Sequence, residues 1–432
     1  MRKVFLISGC LLCFVQLQFG QEPVAAQPLT GDNSANQAPA DSNNSTTNNT
    51  TNNVSEGLLS RWLDINTFSA SLRYRSTENS GGFHTFQFGQ HRELLDGRFK
   101  FDKEGKYSLN FHGSSGRYFN WAFADAIDGQ FTDGVPHAGA YRPFSETLLI
   151  IQALKADPTS PYPTGIASRG AYFYFRQFYL SASPIKNVAF QYGGLGIEHG
   201  ENTEATSFDD DGYISGARVR ITDPDHLFFT EIDGTWADLA HALTPNFFAR
   251  GDDLGQVNYQ QYMVRKKFGR FSTSADFTSL RKTSTMREAV KIKVPELHII
   301  DTARLELYQR LNAVSYYGLT YAGGSGFAFT GSKTIDKRLT LEGGYDHVDH
   351  YYGVYTGDPF LIAVGFSWNG DSFMVGSKAF ARGKLKVAPG VYFFGFFSHE
   401  VSPYQFFITN HATAEGGITF DMADLMHRGH LL

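Results

Sequence analysis

The stretch Lys106-Tyr107-Ser108-Leu109-Asn110-Phe111-His112-Gly113 decides how this chain reads. Tyr107, Leu109 and Phe111 alternate with Ser108, Asn110 and His112. Successive side chains of a strand point to opposite faces, so strict alternation marks a strand with one apolar and one polar face. The turn Lys103-Glu104-Gly105 precedes it, and residues 97–102 alternate in the same way. There Phe99 and Phe101 oppose Arg98, Lys100 and Asp102.

The pattern recurs outward from this point. In residues 67–75, Leu72 and Tyr74 oppose Ser71, Arg73 and Arg75. In residues 216–222, Val219 and Ile221 oppose Arg218 and Arg220. Leu305 and Leu307 oppose Glu306 and Tyr308, and Leu339 and Leu341 oppose Thr340 and Glu342. Residues 171–180 and 391–397 are aromatic on both faces. The first is expected near a membrane rim, where aromatic girdles sit; the faces of both stay unassigned. Aromatic residues make up 15% of the chain, with 39 Phe and 22 Tyr. Charged residues interleave with them, so no stretch after the N-terminal segment suits a spanning helix of about 20 residues.

That segment reads as a secretory signal. Arg2 and Lys3 form its basic start, residues 4–15 its apolar centre, and Val24-Ala25-Ala26 its small-residue cleavage site after Ala26. Ile7-Ser8-Gly9-Cys10 looks like a lipoprotein box, but it would leave too short an apolar run before the cysteine. Cys10 and Cys13 are the chain's 2 cysteines, so the mature protein has no disulfide. The signal carries Arg2, Lys3 and Glu22, a net +1; removing it from −5 leaves −6. That mild acidity argues against a nucleic-acid partner. Residues 27–57 are rich in Asn, Thr, Ser and Ala, have little to bury, and read as a disordered leader.

Residues 58–422 therefore resemble a bacterial outer-membrane β-barrel of the general porin type. The expected fold is all-β: a closed antiparallel barrel of about 16 strands, with 14–18 tolerated. Short turns are expected at 184–187, 223–225 and 268–269, and longer external loops at 128–145, 155–169, 198–211 and 237–255. One of these loops could fold inward and narrow the pore. Glu415-Gly416-Gly417-Ile418-Thr419-Phe420-Asp421-Met422 resembles the C-terminal insertion strand of such proteins, followed by a tail over 423–432.

The resemblance implies a passive channel for small hydrophilic solutes or ions in the outer membrane of a Gram-negative cell. Outer-membrane lipid is then its surroundings, a homotrimer is expected by analogy, and no cofactor, metal or chemistry is implied. Arg73, Arg75, Arg98, Lys100, Asp102, Arg218, Arg220, Glu306 and Glu342 are the expected pore-lining residues. Rings of basic side chains bias a pore toward anions, and the acidic run Asp209-Asp210-Asp211 is the expected constriction loop facing them.

Two other readings compete. His112-Gly113-Ser114-Ser115-Gly116-Arg117 resembles the His-x-Ser-Asn-Gly-Arg stretch of outer-membrane phospholipase A, with His112 activating Ser114. Yet both alternate with outward apolar residues and so face the lumen, and Ser115 stands where that family has Asn. A receptor or adhesin barrel would instead carry its function in the long loops. Metal sites are poorly supported. His347 and His350 fall on opposite strand faces, and Asp209-Asp210-Asp211-Gly212 lacks the spacing of a calcium loop.

Overall fold

The computed structural model describes residues 62–79, 85–115, 122–123, 173–203, 213–222, 228–238, 246–280, 283–312, 314–316, 319–321, 324–348, 376–402 and 410–428. The signal, the leader, the loops over 128–145 and 155–169, and Asp209, Asp210 and Asp211 lie outside them.

Sixteen antiparallel strands form one closed barrel. They are β1 (Leu63–Asn79), β2 (Thr85–Lys100), β3 (Tyr107–Ser115), β4 (Phe173–Ile185), β5 (Val188–Gly196), β6 (Tyr213–Thr222), β7 (Glu231–Asp238) and β8 (Tyr259–Phe268). There follow β9 (Phe271–Leu280), β10 (Thr283–Lys293), β11 (Thr302–Arg310), β12 (Ser325–Ile335), β13 (Leu339–Val348), β14 (Gly376–Ala388), β15 (Val391–Ser402) and β16 (Asn410–Asp421). Ala122–Phe123 pairs with Gln90 and His91 of β2, in line with β3, and continues its ladder. Each strand pairs with the next. β1 closes the ring on β16, with Leu72 opposite Ile418 and Arg75 opposite Glu415. Closure removes the unpaired strand edge that a bilayer cannot satisfy.

Alternation sets the two surfaces. On β1, Leu72 and Tyr74 are 48% and 44% exposed, whereas Arg73 and Arg75 are 3% and 1% exposed. On β11, Leu305 and Leu307 are exposed while Glu306 and Tyr308 are buried. The apolar set faces out and the polar set faces in, the reverse of a soluble protein's core. Residues 391–397, which carry no polarity contrast, resolve the same way: Phe393 and Phe397 face out and Phe396 is buried inside.

Connections segregate by end. At the end where β1 starts and β16 finishes, turns are short, such as 186–187, 269–270, 336–338 and 389–390. Asn187 and Gly269 adopt positive φ there, 66° and 57°. The other end carries the longest connections, beside shorter ones at 80–84, 281–282 and 403–409. Two sequence expectations shift by a few residues. The strand expected over 97–102 stops at Lys100, because Asp102 turns the chain: its carboxylate accepts the Tyr107 amide at 2.8 Å and the Lys106 amide at 3.2 Å. Those amides hold the Asp102 carboxyl below the usual range. The last strand ends at Asp421 and not Met422. Met422–Arg428 forms a helix, α1, capped by Asp421, which accepts the Asp424 amide at 3.0 Å.

Among the described residues, one connection folds back outside the barrel. Residues Phe247–Asp253 make a 3-10 helix capped by Asn246. Phe247 stacks on the outward Phe178 of β4, with centroids 5.8 Å apart. Arg250 covers Tyr213 at 4.1 Å and donates to Ser215 Oγ and to the Arg176 carbonyl.

Candidate functional site

The inner wall is built by alternation, and among the described residues one segment folds inward against it. After β5 ends at Gly196, residues 197–203 enter the barrel and follow the wall. The Glu198 carboxylate meets Arg218 at 2.8 Å and Arg220 at 2.5 Å, both on β6. Its carbonyl accepts Gln261 of β8 at 2.7 Å. The Gly200 carbonyl accepts Arg265 of β8. Glu201 is held by Ser272 and Ser274 of β9. Thr203 donates its amide and hydroxyl to Glu306 of β11. Successive residues thus engage β6, β8, β9 and β11 in strand order, so the segment lies along the wall.

Electrostatics fix it there. Burial alone would push the Glu198 carboxyl up; the Arg218 and Arg220 guanidiniums outweigh that and hold it down at about 2. Arg220 also pairs with Asp233 at 2.7 Å, and Arg265 with Glu231 at 3.1 Å. Arg218 is further fixed by Thr235 and the Gly196 carbonyl. This is an ion network across the wall and the segment, in a setting where Coulomb terms exceed their aqueous size.

The other expected lining residues fall into separate groups. Arg73 and Arg75 both engage Glu415 of β16, at 3.1 and 3.3 Å, with Arg73 also on Gln90. Arg98 and Lys100 share Asp64 at 2.8 and 2.9 Å near the short-turn end. Glu342 binds Arg382 at 2.7 Å. Asp102 sits in a turn and not on the wall. The six expected basic residues therefore gather into three clusters, on Glu415, on Asp64 and on Glu198, and not into one ring. Sequence reading missed Glu198 as the segment's anchor, and also Glu201, Asp233, Arg265, Glu415 and the buried pair Arg287–Asp276 at 2.7 Å. Glu415 stood in the quoted insertion strand, and its place opposite Arg75 follows once β1 and β16 are paired.

His112 and Ser114 both point inward, and Ser114 is fully buried. His112 lies 3.8 Å from Asp96. His347 faces out and bonds Ser377 at 2.8 Å; His350 lies outside the described residues.

No family model matches the chain, and no curated protein resembles it in sequence. Solved structures do resemble it. Salmonella typhi OmpF in complex with daunomycin superposes with a TM-score of 0.50 at 9% identity, over 83% of this chain and 97% of that one. A Rh. blastica porin variant gives 0.46 at 11%, over 83% and 99%. The outer membrane channel DcaP of Acinetobacter baumannii gives 0.45 at 10%, over 83% and 97%. The architecture is that of the general porins: a closed outer-membrane-type barrel of 16 strands. The OmpF likeness concerns the fold alone.

Proposed function

We propose that this protein is a passive diffusion channel for small hydrophilic solutes or ions in the outer membrane of a Gram-negative cell. The observation that carries the reading is the course of residues 197–203. The segment is bonded in strand order to β6, β8, β9 and β11, so it narrows the lumen from one side. An apolar exterior and a polar, ion-paired interior are what a water-filled barrel needs. The short turns then lie in the periplasm and the long connections outside the cell. A homotrimer is expected by analogy with porin-type barrels, and the mass of the detergent complex tests it.

Lipid hydrolysis is the weaker reading, because His112 and Ser114 face the lumen. The deciding experiment is single-channel conductance of the purified protein in a planar bilayer under a salt gradient. Discrete open steps support the channel, and the sign of the reversal potential gives its ion preference. An inserted barrel without conductance overturns it.

A further inference from the structure

On β14 and β15, three cations face three aromatic rings across the strand pair. Arg382 is opposite Phe396, Lys384 opposite Phe394, and Lys386 opposite Tyr392. All six point inward, since the residues alternating with them, Leu385, Val387, Phe393 and Phe397, are exposed on the outer wall. A lipid-anchoring girdle does not explain aromatics on this side. Arg382 is neutralised by Glu342. Lys384 and Lys386 differ: their ammonium groups lie 4.5 and 5.5 Å from the centroid of the same Tyr392 ring. Among the described residues, neither forms a direct ion pair with a carboxylate; Asp421 acts on Lys384 only from a distance. Side chains two apart on a strand start about 7 Å from each other. Two ammonium groups gathered at one ring therefore repel, and the ring face offsets only part of that.

Phe394 lies beside them with its ring over Gly417 of β16, where a Cβ would clash with it. Its ring is thus laid against the wall as a flat surface. Phe396 is buried against Phe380, so the accessible part of the ladder is its lower end, near the 389–390 turn.

We infer that Lys384, Lys386, Tyr392 and Phe394 form a binding site at the short-turn mouth for solutes that join an anionic group to a flat aromatic ring, that is, aromatic carboxylates. The two ammonium groups receive the carboxylate, and the half-buried rings receive the flat face. The inference deepens the channel reading by naming a solute class. It rests on that reading for transport but not for binding.

The test uses the full chain in detergent and in planar bilayers, with benzoate as probe. Acetate supplies the charge without the ring, and benzyl alcohol the ring without the charge. Benzoate is expected to interrupt the current at concentrations at least about tenfold lower than either control, a step equal to roughly 1.4 kcal/mol of binding. The pair Lys384→Gln/Lys386→Gln, and separately Tyr392→Leu/Phe394→Leu, each remove that preference; the outward Leu385→Ala keeps it. Equal block by benzoate and acetate, or block indifferent to both pairs, overturns the site. If the barrel conducts nothing, the channel reading fails alone. Saturation-transfer NMR then reads benzoate binding directly: signal lost in both variant pairs upholds the site, and absence of signal in the wild type overturns it.

Discussion

Glu306 accepts two hydrogen bonds from Thr203, one from its amide at 2.9 Å and one from its hydroxyl at 2.8 Å. The two residues are 103 positions apart, so this contact ties the far end of the inward segment to β11. Bonds to a charged acceptor contribute about 1.5–3 kcal/mol each. Glu306→Ala should free residues 197–203 at that end, giving higher conductance and noisier open levels in planar bilayers. Wild-type conductance and noise would show that Thr203 does not restrain the segment.

Acid should release the other end. The Glu198 carboxyl is held down at about 2 against an ordinary 4.5. A depressed folded value means the contribution is complete above the ordinary value and disappears as pH falls through 4.5 toward 2. Current fluctuations should therefore rise between pH 4.5 and 2 and stay flat above 5. Glu198→Gln should show the acid behaviour at neutral pH. A variant as quiet as wild type at pH 7 counts against the clasp with Arg218 and Arg220.

Arg287 binds Asp276 through both Nε and Nη2, and also reaches Thr278. All three are buried. Removing one partner of a buried pair costs about 3–5 kcal/mol, because the other charge is stranded. Arg287→Met should lower the urea midpoint of the folded barrel, and Arg287→Met/Asp276→Asn should recover much of the loss. An additive double variant would show that the pair is not coupled.

The 3-10 helix on the outer wall is tested by proteolysis. Its attachment depends on Arg250 against Tyr213, and on Phe247 packed so close to Gly194 that a Cβ there would lie 2.5 Å from the ring. Gly194→Val or Arg250→Ala should lift the helix and raise chymotrypsin cleavage at Phe247 and Phe248 by about tenfold, in proportion to the open population. Unchanged cleavage would mean that other contacts hold it.

Where polar and apolar residues alternate, the sequence alone reveals both faces. Leu72 and Tyr74 against Arg73 and Arg75 is the clearest case, and Leu305 and Leu307 against Glu306 the next. Period two determines which side a residue takes, but not which distant residue it meets. That Thr203 would find Glu306, or Glu415 would find Arg73, depends on strand register around a closed ring. Arg98 and Lys100 have the expected period, yet their partner Asp64 lies on a different strand and at the mouth. Asp102 shares that period as well, but backbone amides claim its carboxylate and turn the chain. The stretch from Tyr392 to Phe397 defeats pattern reading for a different reason: its aromatic residues on both faces leave no contrast to read. The cations opposite them, Lys384 and Lys386, are what give the inner face a chemical identity.

The clasp between Glu415 and the arginines at 73 and 75 has a consequence for the order of assembly. Its acidic half belongs to the final strand, so it forms only after every other strand has been delivered. Until then the leading edge of the nascent sheet carries open backbone groups and two guanidiniums lacking this counter-charge. Arrival of the last strand completes the hydrogen-bond ladder and neutralises the edge in one event.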